Sequence, residues 1–137
     1  MKLLKILLEQ EKILVPRRSK EERAKNYKIV INRQIQQYIK DGSKGNLALG
    51  GKHITSLPDN LKYVGGNLTL SNNPIKSLPD NLKVKGTLWL QGSTIESLPD
   101  NLEVVGDLWI KNTPLSDKYS DTEIKTLANI KGSIIRR

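Results

Sequence analysis

The sequence predicts an α/β solenoid: a short parallel β-sheet of about four to five strands, an N-terminal capping helix and a C-terminal helix–strand cap. Three observations predict it. The phrase Ser56-Leu57-Pro58-Asp59-Asn60-Leu61 returns at 77–82 and again at 97–102, spaced 21 and then 20 residues apart. A second phrase runs between the copies, Val64-Gly65-Gly66-Asn67-Leu68-Thr69-Leu70, and recurs as 84–90 and 104–110, with a partial earlier copy at 45–49. Both ends of the repeated region carry segments patterned as helices. A fixed period near twenty is too short for a unit to bury its own leucines, so neighbouring units must stack and share one core.

Within a unit the apolar positions are Leu68, Leu70, Ile75, Leu78 and Leu82, and the next unit offers Leu88, Leu90, Ile95, Leu98 and Leu102. Leu-x-Leu is strand alternation with both leucines on one face. The preceding Gly suits a turn into that strand. Pro in Ser-Leu-Pro-Asp-Asn-Leu lacks an amide donor and has a fixed φ, so this return path is expected to be short extended or 3₁₀-like structure.

The flanking elements follow. In Met1–Gln10, Leu3, Leu4, Leu7 and Leu8 fit one face of a short amphipathic helix. The run is too short and too charged for a signal peptide or a membrane span. Pro16 breaks it. Ser19-Lys20-Glu21-Glu22 is a capping box, and the helix it opens should run from about Lys20 to Lys40, where Asp41-Gly42 stops it. Tyr27, Ile31, Ile35, Tyr38 and Ile39 form its apolar face, suited to cover the first strand at Leu47 and Leu49. At the other end Ser120-Asp121-Thr122-Glu123 is a second capping box for a helix to about Asn129, with Ile124, Leu127 and Ile130 inward. Lys131–Arg136 then supplies a final strand. The expected organisation is an arm at 1–18, a basic capping helix at 19–44, repeats at 45–115 and a C-terminal cap at 116–137. With a cap at each end the chain reads as a complete unit.

The pattern Leu-x-Leu-x-x-Asn-x-Ile-x-x-Leu-Pro-x-x-Leu, carried over residues 45–115, resembles the short leucine-rich repeats. Its Ser-Leu-Pro-x-x-Leu phrase is similar to the LPX-type repeats of secreted bacterial effectors, and more so to small repeat proteins encoded by tailed bacteriophages. The resemblance implies a non-enzymatic protein-binding module, with a phage or host protein as partner and the virion or the host cytoplasm as location. Leu-x-x-Leu-Leu-x-Glu near the N-terminus is also similar to the processed leader of some phage internal head proteins, which keeps a virion structural or packaged component as an alternative. The chain departs from the repeat pattern at its usual asparagine, kept at Asn73 but replaced by Lys52, Ser93 and Thr113. A continuous asparagine ladder is therefore not expected, and the return loops should be looser. The effector relatives often carry a cysteine-dependent ubiquitin ligase domain; this chain has no Cys.

Charge is unevenly spread. Of the formal net charge of +9, residues 1–46 hold twelve Lys/Arg against five acids, residues 47–115 six against six, and residues 116–137 five against three. Arg17, Arg18, Arg23, Lys25, Lys28 and Arg33 concentrate the excess, and residues 17–33 are a nucleic-acid-binding alternative. The bland alternative is a solvated helix face.

The residue between the two leucines of each strand should point outward. That position reads Ala48, Thr69, Trp89, Trp109 and, on the final strand, Ile135. Asn67, Thr87 and Asp107 precede it; Ser71, Gln91 and Lys111 follow. Both tryptophans thus fall on the exposed face, about 4.8 Å apart on adjacent strands. Trp89, Trp109, Thr69, Ile135, Gln91, Lys111 and Asp107 are the expected partner-binding residues, since buried Trp dominates many interfaces. Cross-strand aromatic packing, or cover from the chain's own N-terminal leucines, are the alternatives. Stacking of single-stranded bases is a further one, disfavoured by the neutral repeats.

No catalytic, metal or cofactor constellation is read. His53 sits alone in a return loop. Asp59, Asp80 and Asp100 recur because the fold recurs and are expected to serve turns. Gly65-Gly66 opens no phosphate loop.

Overall fold

The computed structural model describes residues 20–137. The expected arm, the capping residue Ser19, and Arg17 and Arg18 lie outside the described residues. The chain divides into two compact units, Met1–Val30 and Ile31–Arg137. The division falls inside helix α1 (Lys20–Lys40), whose span matches the expectation. In the first unit, Arg23, Lys25 and Lys28 are exposed, as are Ile29 and Val30. Tyr27, expected to face inward, is 38% exposed.

In the second unit, α1 ends as its sequence requires. Gly42 adopts φ +95, its N–H donates to the Ile39 carbonyl and the Ser43 N–H to the Tyr38 carbonyl. That pair of bonds satisfies carbonyls the helix would otherwise orphan. Ile31 and Ile35, one turn apart, are buried in the same aliphatic cluster as Leu47 and Leu49, with Tyr38 and Ile39 packed against it. The helix residues from Ile31 onward therefore cover the first coil. Tyr38 secures the join: its hydroxyl donates to the Gly45 carbonyl (2.8 Å) and accepts from the Gly65 N–H (3.2 Å).

The rest is a parallel β-solenoid with two sheets. The first contains β1 (Leu47–Ala48), β3 (Leu68–Thr69), β5 (Leu88–Trp89), β7 (Leu108–Trp109) and β9 (Ile134–Ile135), in that order. The second contains β2 (Tyr63–Val64), β4 (Lys83–Val84), β6 (Glu103–Val104) and β8 (Asn129–Ile130). All pairings are parallel and in register, so Leu47, Leu68, Leu88, Leu108 and Ile134 form one column. The first sheet is the one the Leu-x-Leu pattern predicts. The second is not predicted: each of its strands contributes a single buried residue, Val64, Val84, Val104 or Ile130, which is too little alternation to read as a strand. Lys62 explains the unequal spacing of the repeats. Two residues lie between Leu61 and Val64, but only one lies between Leu82 and Val84 and between Leu102 and Val104, so Lys62 is the extra residue of its coil.

The turn leaving each first-sheet strand needs a left-handed residue, and Gly51, Asn72, Gly92 and Asn112 supply it in successive coils, with φ between 58 and 70. These are the residue types that tolerate that conformation. Just beyond sits the position of the expected asparagine. Asn73 is buried; its side-chain oxygen accepts from the N–H groups of Lys52 and Ile54, and its amide donates to the carbonyls of Leu49 and Leu70. Ser93 and Thr113 are also buried, and their hydroxyls donate to the carbonyls of Leu90 and Ile110. The hydroxyls thus replace the local half of the asparagine's work but not its reach to the coil before. No buried side-chain polar atom among the described residues lacks a partner.

The C-terminal cap holds one more helix than expected. Thr113 caps α2 (Pro114–Lys118), with Pro at the first helical position, where its missing N–H costs nothing. Ser120 and Glu123 form the predicted capping box of α3 (Asp121–Leu127). This helix stops two residues short of the expected end because Ala128 is extended and leads directly into β8. Ile124 and Ile130 are buried as expected; Leu127, also expected inward, is 42% exposed. Arg136 closes the end, donating to the carbonyls of Ser116 and Tyr119 and pairing with Asp121 at 2.8 Å.

Candidate functional site

The outward column of the five-stranded sheet reads Ala48, Thr69, Trp89, Trp109, Ile135. Leu88 and Leu90 around Trp89, and Leu108 and Ile110 around Trp109, take the inside, so the indoles take the outside. Trp89 and Trp109 are half-buried and stacked, with ring centroids 4.5 Å apart and planes inclined by 17°. Each ring therefore covers one face of the other. Thr69 and Ile135, the next residues in the column, are half-buried on either side of the pair. The stack therefore leaves one face and the edges of each indole outside the pair. Neither indole N–H has a hydrogen-bond partner among the described residues.

The flanking positions divide into two kinds. After the column, Gln91 is half-buried and Lys111 exposed, each with its side chain free of hydrogen bonds among the described residues. Before the column the side chains are structural. The Asn46 side chain accepts from the Asn67 N–H, Asn67 from the Thr87 N–H, and Asp107 from the Ser133 N–H, each at 2.8 Å; Thr87 accepts from the Asp107 N–H at 3.4 Å. Asp107 thus has a task within the coil stack, and its carboxylate is only partly available to a partner. This ladder was not anticipated. Its signal is a short side-chain acceptor directly after the Gly of each coil.

Of these glycines, Gly86, Gly106 and Gly132 also stand where no side chain fits, whereas at Gly45 the space is open. A Cβ on Gly106 would lie 2.7 Å from the carbonyl carbon and oxygen of Gly86. The close approach lets the amide of each such glycine reach the carbonyl of its counterpart in the coil before, Gly86 to Gly66 and Gly106 to Gly86.

Of the basic residues described, Arg23, Lys25, Lys28 and Arg33 are exposed on α1. His53 is exposed, in a left-handed turn conformation with φ 56. Asp59, Asp80 and Asp100 are exposed at the turns following the prolines. The asparagines beside them contribute more to structure: Asn81 and Asn101 adopt positive φ, and the Asn101 amide donates to the Asn81 side chain. Among the described residues no three His, Cys, Asp or Glu side chains are placed to hold a metal ion. No helix among them is long and apolar enough to cross a membrane.

On the second sheet, Glu103 lies between Lys131 (3.1 Å) and Lys83 (3.5 Å). The hydrogen bond from Lys131, helped by the charge of Lys83, holds its carboxyl below the usual carboxylate range. Burial pushes the Tyr38 hydroxyl above its ordinary value.

No family model, curated protein or solved structure matches this chain.

Proposed function

We propose that this chain is a non-enzymatic leucine-rich-repeat module, phage-encoded by its resemblance, that binds a protein partner on the open face of its five-stranded sheet. The stacked, half-exposed pair Trp89–Trp109 carries this reading. Two indoles fixed side by side form a rigid apolar anchor that loses little entropy on binding, and such anchors concentrate binding energy. Thr69 and Ile135 extend the apolar strip, while Gln91 and Lys111 offer polar contacts at its edge. The neutral charge of the repeats, six Lys/Arg against six acids over 47–115, argues against a phosphate backbone here. The indole N–H groups, unpaired among the described residues, favour a partner that accepts hydrogen bonds from them.

Affinity capture with the intact chain and with W89A/W109A tests this. The double variant should lose the partner while melting within a few degrees of the parent, since an exposed aromatic pair contributes about 0.5–1.5 kcal/mol to the fold. Retained capture refutes the site.

Exposure of Arg23, Lys25, Lys28 and Arg33 on α1 favours a second reading, nucleic-acid binding through that helix. Salt-dependent binding that disappears when these four are replaced by Gln supports it. The virion alternative rests on the first ten residues, and N-terminal mass spectrometry of purified particles tests it by the presence of a trimmed leader.

A further inference from the structure

The repeats sum to zero charge, but the two sheets do not share that balance. Outward positions of the second sheet hold Tyr63, Lys83, Glu103 and Asn129 in one row. Directly after the ends of β4, β6 and β8 stand Lys85, Val105 and Lys131. The extra residue Lys62 is exposed beside Tyr63. Four lysines thus meet one carboxylate, Glu103, which engages Lys83 and Lys131 together. Lys85 is exposed and has no ion pair among the described residues. Lys62 reaches only a backbone carbonyl, that of Asp80, at 3.3 Å. Tyr63 is 38% exposed and stacks on no other ring among the described residues. At the far side of this face, β6, α3 and β8 border an open depression of about 540 Å³ whose lining includes Asn101, Lys125 and Asn129.

We propose that this second face binds single-stranded nucleic acid, with phosphates along Lys62, Lys85 and Lys131 and a base stacked on Tyr63. The lysines track a backbone as point charges on flexible stems, spaced by strands about 4.8 Å apart. The open phenol ring distinguishes a nucleic acid from an acidic protein, because stacking is what a base supplies and a carboxylate does not. A single strand is preferred to a duplex because the face is flat and projects no helix or ribbon into a groove. The site is distinct from the indole pair and from α1, so it stands or falls separately from the readings above.

Fluorescence anisotropy of a labelled oligothymidylate with the full chain is the test. Binding should weaken with salt with a log–log slope of about −2, as expected for three neutralised phosphates. K85Q/K131Q should weaken it by about tenfold or more, and Tyr63→Ala by about tenfold. K85Q/K131Q made on top of the variant with Arg23, Lys25 and Lys28 changed to Gln separates this face from α1: binding that survives the α1 changes and is lost with the two lysines assigns the site here, and binding lost with the α1 changes alone overturns the proposal. Melting curves without oligonucleotide separate lost binding from lost fold, and the exposed lysine variants are expected to melt normally. Failure of the parent chain to bind, or unchanged binding by K85Q/K131Q, overturns the proposal. So does displacement of the oligonucleotide by polyglutamate at equal charge, which would make the face a general acidic-protein surface.

Discussion

Asn73 joins two coils through one side chain. Its carboxamide serves two N–H groups of the preceding coil and carbonyls on both coils. An unpaired buried group costs about 1–3 kcal/mol, so Asn73→Ala should destabilise by about 3 kcal/mol in urea unfolding. Asn73→Ser should cost less, because Ser93 shows that a hydroxyl at this position still serves the local carbonyl. Equal losses for the two variants would mean that the inter-coil bonds contribute nothing. Glu103 makes a prediction with pH. Its folded carboxyl is held below the usual range by Lys131 and Lys83, so the contribution is present above the ordinary carboxylate value and disappears as pH falls through the depressed one. The melting temperature of the parent should therefore fall more steeply than that of Glu103→Gln between mildly acidic and strongly acidic pH. Added salt should shrink the difference, because the pair is solvent-screened.

At the scale of elements, turns and caps set the boundaries. Gly92 occupies a left-handed position that Asn72 and Asn112 fill in neighbouring coils. Gly92→Ala should cost about 1 kcal/mol and Gly92→Asn less, measured by thermal melts. Ser120→Ala removes the hydroxyl that accepts the Glu123 N–H and should cost about 1 kcal/mol. The capping boxes and the stop at Asp41-Gly42 were legible in the sequence because each is a local rule with a fixed spacing. The second sheet was not. Its strands are two residues long and bury one side chain each, and they exist because successive coils align, not because any segment favours strand. Tyr27 and Leu127 misled for a related reason. Helical spacing marks them as apolar-face residues, but spacing does not say which turns of a helix have a neighbour to pack against, and both side chains are exposed.

For the whole molecule, the repeated column is the organising fact. Each of the four coils from Leu47 to Ile130 places two aliphatic residues inward at the first sheet and one at the second, and these merge into a single cluster from Ile31 to Ile130. Leu88 is fully buried between neighbouring coils, so Leu88→Ala should cost about 2–5 kcal/mol and lower the unfolding transition as a whole, because each coil is stable only against its neighbours. Periodicity alone located the indole pair, since it states which side of a strand is inside. It could not locate the lysines of the second face, because a charge sum over the repeats erases how charge is divided between two sheets. The register that stacks Trp89 on Trp109 at 4.5 Å is the geometry on which the proposed binding face depends. Circular dichroism in the indole absorption region tests it directly. Two stacked indoles should give an exciton-coupled pair of bands of opposite sign in the parent chain, abolished equally by Trp89→Phe and by Trp109→Phe. A parent spectrum equal to the sum of the two single variants would contradict the stacked register.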